Sequence, residues 1–247
     1  MGQRNNTKCD RNGRGEHMAI YITGDTHGDV DIEKLSMERF PEQEAMTKDD
    51  YLIIAGDFGG IWDGGERDEK LLDWYEEKNY TTLFVDGNHE NHELLSAYPV
   101  YEWNGGKVHY IRPSVIHLMR GQVYEIDGMR FFTMGGGFSI DKNYRVPGRS
   151  WWPEEMPSRA EYEEAEKNLR AADWDVDFVI THCCAYETLL KLLRFVPYKI
   201  MMDEENQFFS RVEKKLKYSH WFCGHYHIDH EPDKTHTILY QEIVRIE

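Results

Sequence analysis

Eight side chains that can hold a metal ion or move a proton fall in five short blocks. Asp25 and His27 lie in Gly24-Asp25-Thr26-His27, Asp57 in Gly56-Asp57-Phe58-Gly59-Gly60, Asn88 and His89 in Gly87-Asn88-His89-Glu90, His182 by itself, and His225 and His227 in Gly224-His225-Tyr226-His227. Residues at i and i+2 of an extended segment point the same way, so Asp25 with His27, and His225 with His227, can each grip a common centre. Mixed imidazole, carboxylate and amide donors suit borderline or hard divalent ions such as Mn2+, Fe2+, Zn2+ or Mg2+, and the absence of a Cys-x-x-Cys pair argues against a structural zinc site. Asp25, His27, Asp57, Asn88, His182, His225 and His227 are more ligands than one ion takes. A carboxylate can bridge, so two ions about 3.5–4 Å apart could share Asp57 and divide the rest, an arrangement suited to in-line displacement at phosphorus.

Each block needs an element to deliver it. Short apolar, β-branched runs over 18–23, 51–55, 82–85, 178–181 and 221–223 read as buried strands, and every block sits at the carboxyl end of one of them. Ligand sites of α/β sheets occupy that edge. Helical spacing of apolar residues predicts helices over 68–79 and 204–217, and Ser158 with Glu161 forms a capping-box signal for a third. Between them, 108–111, 115–119, 122–126 and 130–134 are closely spaced strands, with Asp127-Gly128 as a hairpin turn, and predict a β-meander between two α/β portions. Residues 1–17 carry almost nothing apolar and read as a disordered segment, leaving 18–247 as one domain.

Taken in order, the blocks resemble those of the calcineurin-like metallophosphoesterase family: Asp-x-His, Gly-Asp, Gly-Asn-His, a lone His and Gly-His-x-His, spanning Gly24 to His227. The resemblance implies an α/β fold of two mixed β-sheets packed as a sandwich flanked by helices. It implies one ion held by Asp25, His27, Asp57 and His227, a second by Asp57, Asn88, His182 and His225, and His89 as the catalytic histidine outside the ligand set. Mn2+ leads the expected cofactors, ahead of Fe2+, Zn2+, Ni2+ or Mg2+. The implied reaction is hydrolysis of a phosphate ester by a metal-activated hydroxide, with a phosphodiesterase or nuclease acting on cyclic nucleotides or nucleic-acid ends, and a non-catalytic metal-retaining module, as alternatives. The chemistry agrees: phosphoryl oxygens repel hydroxide, two cations neutralise them and acidify a bound water, and a histidine titrating near neutrality can serve the leaving alkoxide. Relatives that dephosphorylate proteins extend the second block to Gly-Asp-x-x-Asp-Arg-Gly; here Gly60 stands at the second Asp, and Asp63 is the displaced candidate for orienting His89.

Composition narrows the partners. With 45 acidic against 29 basic residues, the formal charge of −16 argues against a protein that holds nucleic acid mainly through a broad basic surface and leaves a local site open. No apolar run is long enough to span a membrane, and four cysteines without paired spacing read as reduced thiols, so the expectation is a cytoplasmic protein. Lys142, Arg145 and Arg149, followed by Trp151 and Trp152, are candidate substrate contacts offering cations and stacking faces to a nucleotide, against the plainer reading of a solvated loop. Gly135 to Ser139 is not a Walker A loop and reads as a tight turn.

Overall fold

The computed structural model describes residues 18–196 and 201–246, so the expectation of disorder over 1–17 lies outside the described residues. Strands β1 (Ile20–Thr23), β2 (Tyr51–Ala55) and β3 (Thr81–Val85) are parallel neighbours whose side chains are buried on both faces. This explains why they read as unbroken apolar runs instead of alternating ones. Ile20, Ile22, Ile53 and Val85 point to one side, while Tyr21, Leu52, Ile54 and Phe84 point to the other. The sheet continues through β6 (Val115–Leu118), β5 (Gly106–Arg112) and β4 (Val100–Trp103), and β13 (Ile243–Ile246) closes its far edge, giving the order β13-β1-β2-β3-β6-β5-β4.

A second sheet runs β11-β12-β10-β9-β8-β7, built from β7 (Gln122–Ile126), β8 (Met129–Met134), β9 (Phe178–Thr181), β10 (His220–Cys223), β11 (His230–Asp233) and β12 (His236–Ile238). The two sheets share one apolar layer, in which Ile22, Ile53 and Val85 of the first meet Tyr124, Phe131, Ile180 and Phe222 of the second. Helix α1 (Glu66–Glu76) covers the outer face of the first sheet through Leu71, Leu72 and Tyr75. After the short α2 (His92–Ser96), α3 (Arg159–Ala171) and α5 (Glu204–Glu213) cover the second sheet through Tyr162, Leu169, Phe208 and Phe209. Helix α4 (Tyr186–Leu192) packs beside them on Cys223 and Ile238. The result is the two-sheet sandwich with helices outside. Helix α3 starts at the Ser158 and Glu161 capping box, in which each side chain satisfies the other's backbone amide.

One expectation is corrected. The closely spaced central strands do not form a single meander: β4, β5 and β6 belong to the first sheet, and the chain crosses to the second before β7 and β8. Asp127 and Gly128 do turn the β7–β8 hairpin, both at positive φ (50° and 76°) as a two-residue turn between antiparallel strands requires. Among the described residues no helix is long and apolar enough to cross a membrane.

Candidate metal centre

The parallel strands β1, β2 and β3 of one sheet and β9 and β10 of the other end at the same rim of the sandwich, and the loops leaving them are tied together. The amides of Thr26 and His27 donate to the Asp57 carbonyl at 3.1 and 2.8 Å, and the Gly224 amide donates to the His182 carbonyl at 3.1 Å. Glycine in the blocks has a steric reason. A Cβ on Gly87 would stand 2.1 Å from Asp57 Oδ1, and one on Gly224 would stand 2.2 Å from Asp25 Oδ1, so each lets a neighbouring loop's carboxylate close in. Four candidate ligands adopt left-handed backbone conformations, His27 (φ 46°), Asp57 (47°), His225 (70°) and His227 (51°). Strain of this kind in residues with a Cβ persists where the surroundings force it, commonly at functional sites.

Ligand atoms of Asp25, His27, Asp57 and His227 all lie within 4.8 Å of one another. His27 Nε2 is 3.2 Å from Asp57 Oδ2, and His227 Nε2 is 3.2 Å from Asp25 Oδ2. On the other side of Asp57, Oδ1 lies 3.3 Å from His182 Nε2, which is 3.3 Å from Asn88 Oδ1 and 3.2 Å from His225 Nδ1. Atoms bound to one ion at about 2.1 Å stand roughly 3 Å apart. Asp57 therefore presents one oxygen to each half of the cluster, and its Oδ1 also accepts from the His89 amide at 2.7 Å.

Outer contacts aim the donor atoms inward. His27 Nδ1 donates to Asp31 Oδ2 at 2.7 Å and His182 Nδ1 donates to the Ala55 carbonyl at 2.9 Å, so both rings turn Nε2 toward the cluster. Asn88 Nδ2 donates to Ser139 Oγ at 3.2 Å, and Ser139 Oγ donates to Glu155 Oε2 at 2.6 Å, which leaves the amide oxygen facing His182. Tyr240 bonds Asp31 through its hydroxyl at 2.9 Å and stacks on His227, and the buried Lys34 ammonium donates to the carbonyls of Gly24, Asp25 and Tyr240. Asp25 Oδ2 is buried yet accepts no hydrogen bond. Such an atom costs free energy unless a cation completes it, so the donor set fits divalent ions.

The electrostatics agree. Burial pushes the His27 and His182 imidazoles down, but the carboxylates of Asp57 and Asp25 outweigh it and hold them up at about 9 and about 10. Burial pushes Asp25 and Asp57 up, yet the facing histidines bring both below the usual carboxylate range. A pocket that favours imidazolium and carboxylate together is one whose field stabilises added positive charge.

His89 lies beside the cluster, its ring edge-on to His27 with centroids 5.0 Å apart. Burial, outweighing the pull of Asp57, lowers its pKa, and Arg145 Nη2 donates to His89 Nε2 at 2.9 Å, so the ring is neutral with its proton on Nδ1. Arg145 is fixed in turn by Asp141 at 2.8 Å. Of the other substrate candidates, Lys142 stacks over Phe138, and Arg149 is exposed in the loop before Trp151. Asp63 Oδ1 accepts from the Gly65 amide in the turn leading into α1. The amides of Gly136, Gly137 and Ser139 are all taken by Asp86 and Glu155, so this loop walls the cluster and offers them to nothing else. Asp31, four residues from His27, was within reach of sequence spacing. Glu155 and Tyr240 reach the site from afar in the chain and carried no local signal, Ser139 stood only at the end of a run read as a tight turn, and Lys34, nine residues from Asp25, had nothing in its spacing to mark it.

Comparison with known proteins adds the decisive observation: the sequence profile described as calcineurin-like phosphoesterase matches residues 18–229. The chain belongs to this family. Its relatives include a lariat debranching enzyme of Drosophila pseudoobscura, 26% identical over 240 residues that cover 85% of this chain and 42% of that protein. Another, from Schizosaccharomyces pombe, is 24% identical over 236 residues covering 85% and 48%. The chain spans under half the length of these curated relatives.

Proposed function

We propose that the chain hydrolyses a phosphodiester at a dinuclear centre, with Asp25, His27, Asp57 and His227 holding one divalent ion and Asp57, Asn88, His182 and His225 the other. The observation that carries this reading is Asp57, whose two oxygens face the two halves of the ligand set. Two divalent ions held there, with Mn2+ the first to try, would neutralise the phosphoryl group and supply an acidic water. The remaining work belongs to the chain. Arg145 stands where a phosphoryl oxygen can compete for its guanidinium, and as it turns to the anion it releases His89 Nε2, which then takes up a proton from solvent water and passes it to the leaving alkoxide.

A diester has two arms, and clefts open on both sides of the cluster. One, of about 460 Å³, lies over His27, His89 and His227; the other, of about 210 Å³, lies between Asn88, His225 and Arg145. Similarity to lariat debranching enzymes supports a diester. Convergence of every ligand candidate with His89 disfavours the non-catalytic module, and an Asp63 committed to Gly65 gives no support to the protein-phosphatase arrangement. Cys183, Cys184 and Cys223 are unpaired and buried, in keeping with a cytoplasmic protein.

The test is turnover of bis-p-nitrophenyl phosphate against p-nitrophenyl phosphate with Mn2+ and a chelator control. The diester should be preferred and the chelator should abolish turnover; no turnover of either compound across several metals would overturn the reading. His89→Ala should lower kcat about 10²- to 10⁴-fold with two metals retained per chain. If both ions leave with the histidine, His89 belongs to the ligand set instead.

A further inference from the structure

We propose that the cleft bounded by Trp62 and Tyr240 is the subsite for a nucleobase carried by one arm of the substrate, an inference that rests on the phosphodiester reading above. The larger of the two clefts beside the metal cluster has His27, His89 and His227 along its floor, with Val30, Trp62 and Tyr240 as its walls and Arg67 at its edge. Its volume of about 460 Å³ lies in the range of pockets that hold small ligands, whereas the roughly 210 Å³ on the Arg145 side lies below it.

The walls are held in place before any ligand arrives. The Trp62 amide donates to Asp68 Oδ2 at 2.6 Å, its carbonyl accepts from Asn91 Nδ2 at 2.7 Å, and its indole packs edge-on against Trp152 with centroids 5.4 Å apart. Tyr240 is held by Asp31, by stacking nearly parallel (12°) on His227 and by the Lys34 ammonium 5.7 Å over its ring, so its faces are already engaged and Trp62 is the aromatic wall offered for stacking. Val30 is 71% exposed at the lip, an apolar side chain that a flat ligand would cover. Arg67, paired with Asp29 at the edge, is half exposed and can exchange that carboxylate for a neighbouring phosphate.

Charge points the same way. A chain of formal charge −16 does not gather nucleotides through a long-range field, so affinity for the part of the substrate remote from the metals must come from short-range contact. A rigid indole beside a phosphoryl-binding centre supplies that contact for any base, because every base has a π-face.

The experiment is binding of adenosine 5′-monophosphate, ribose 5-phosphate and phenyl phosphate to the Mn2+-loaded protein by calorimetry, in the wild type and in Trp62→Ala and Trp62→Phe. Stacking on one aromatic platform predicts that adenosine 5′-monophosphate binds about ten-fold or more tightly than ribose 5-phosphate. Trp62→Ala should erase that ratio, and Trp62→Phe should keep most of it, which also shows that the fold survives. In turnover, Trp62→Ala should raise KM for bis-p-nitrophenyl phosphate more than it lowers kcat. Equal affinity for the two sugar phosphates, a ratio unmoved in Trp62→Ala, or phenyl phosphate binding as tightly as the nucleotide would each overturn the nucleobase subsite. Because binding is read without turnover, a protein that hydrolyses the diester but ignores the base defeats this inference alone. One that prefers the nucleotide but hydrolyses neither ester defeats the catalytic reading alone.

Discussion

Two buried polar clusters lie within a few residues of each other at the end of β3, and they are built on opposite rules. Around Asp57 the donors converge with an Asp25 oxygen that accepts no hydrogen bond and has the His227 ring facing it, and with left-handed backbone at His27, Asp57, His225 and His227. Around Asp86 nearly everything is satisfied within the protein. Arg120 donates to Asp86 Oδ2 through Nε at 2.8 Å and Nη2 at 2.6 Å, His117 Nε2 approaches Oδ1 at 3.1 Å, and His109 Nδ1 meets His117 Nδ1 at 3.1 Å. Arg120 also holds the carbonyls of Glu154 and Glu155, tying together loops from both sheets. Histidine and carboxylate content is therefore no guide to a metal centre. What separates the two is whether lone pairs are spent on protein donors or gathered around a common point.

Removing a key carboxylate or its partner should expose that contrast. Asp57→Asn takes charge from the candidate ligand that faces both halves, and should cost activity more than the roughly 10- to 100-fold typical of an outer-sphere partner. The wild type should also gain thermal stability from Mn2+, rising with the logarithm of free ion above Kd, and the variant should lose that gain. An Asp57→Asn protein that still binds two ions and turns over at the wild-type rate would remove the bridge from the argument. Arg120→Met should act on stability instead. It strands Asp86 in the interior, where loss of one member of a buried pair costs about 3–5 kcal/mol, measurable by denaturant titration. Metal content per folded chain should hold. If Arg120→Met empties the centre while sparing stability, the two clusters are one functional unit.

Asp31→Asn is the milder probe of the rim. Asp31 touches no donor atom facing the cluster but fixes the tautomer of His27 from behind, so metal affinity should fall about 10- to 100-fold with the ligand set intact. Equilibrium dialysis at graded Mn2+ would detect it. An unchanged affinity would show that the backbone alone sets the His27 ring.

The same contrast governs what sequence could reveal. The five chemistry-bearing blocks were legible because parallel strands buried on both faces read as apolar runs, and because glycine must stand where a neighbour's carboxylate approaches, as Gly87 and Gly224 do. His92, His109 and His117 carried no such signature, and they sit in the satisfied cluster or beside it. Which sheet takes β6 and which takes β7 was not legible: alternation of apolar residues says which face of a strand is buried but not which strand lies alongside. The supporting partners were hidden for a related reason. Tyr240 lies 209 residues from Asp31, and no periodicity reports a contact of that span.

The smallest effect is also the one that treats both clusters in one measurement, the pH dependence of thermal stability in metal-depleted protein. In the Asp86 cluster, burial lowers His92 and His109 to about 4, from an ordinary value of 6.5. The unfolded chain binds protons there that the folded chain refuses, so stability should fall as pH drops from about 6.5 toward 4. At the rim, burial lowers His225 to about 3 and adds to that acid loss, but for two other rings the sign reverses. His27 and His182, held up at about 9 and about 10, bind protons in the folded chain that the unfolded chain has lost, so their stabilisation is complete below about 6.5 and disappears as pH rises through 9 to 10. Mn2+ should replace those protons at neutral imidazoles and carboxylates, removing the alkaline loss while leaving the loss from the Asp86 cluster on the acid side in place. Melting curves from pH 4.5 to 10 with and without the ion would show it, and an alkaline limb indifferent to Mn2+ would mean that protons and metal do not compete for the same donors.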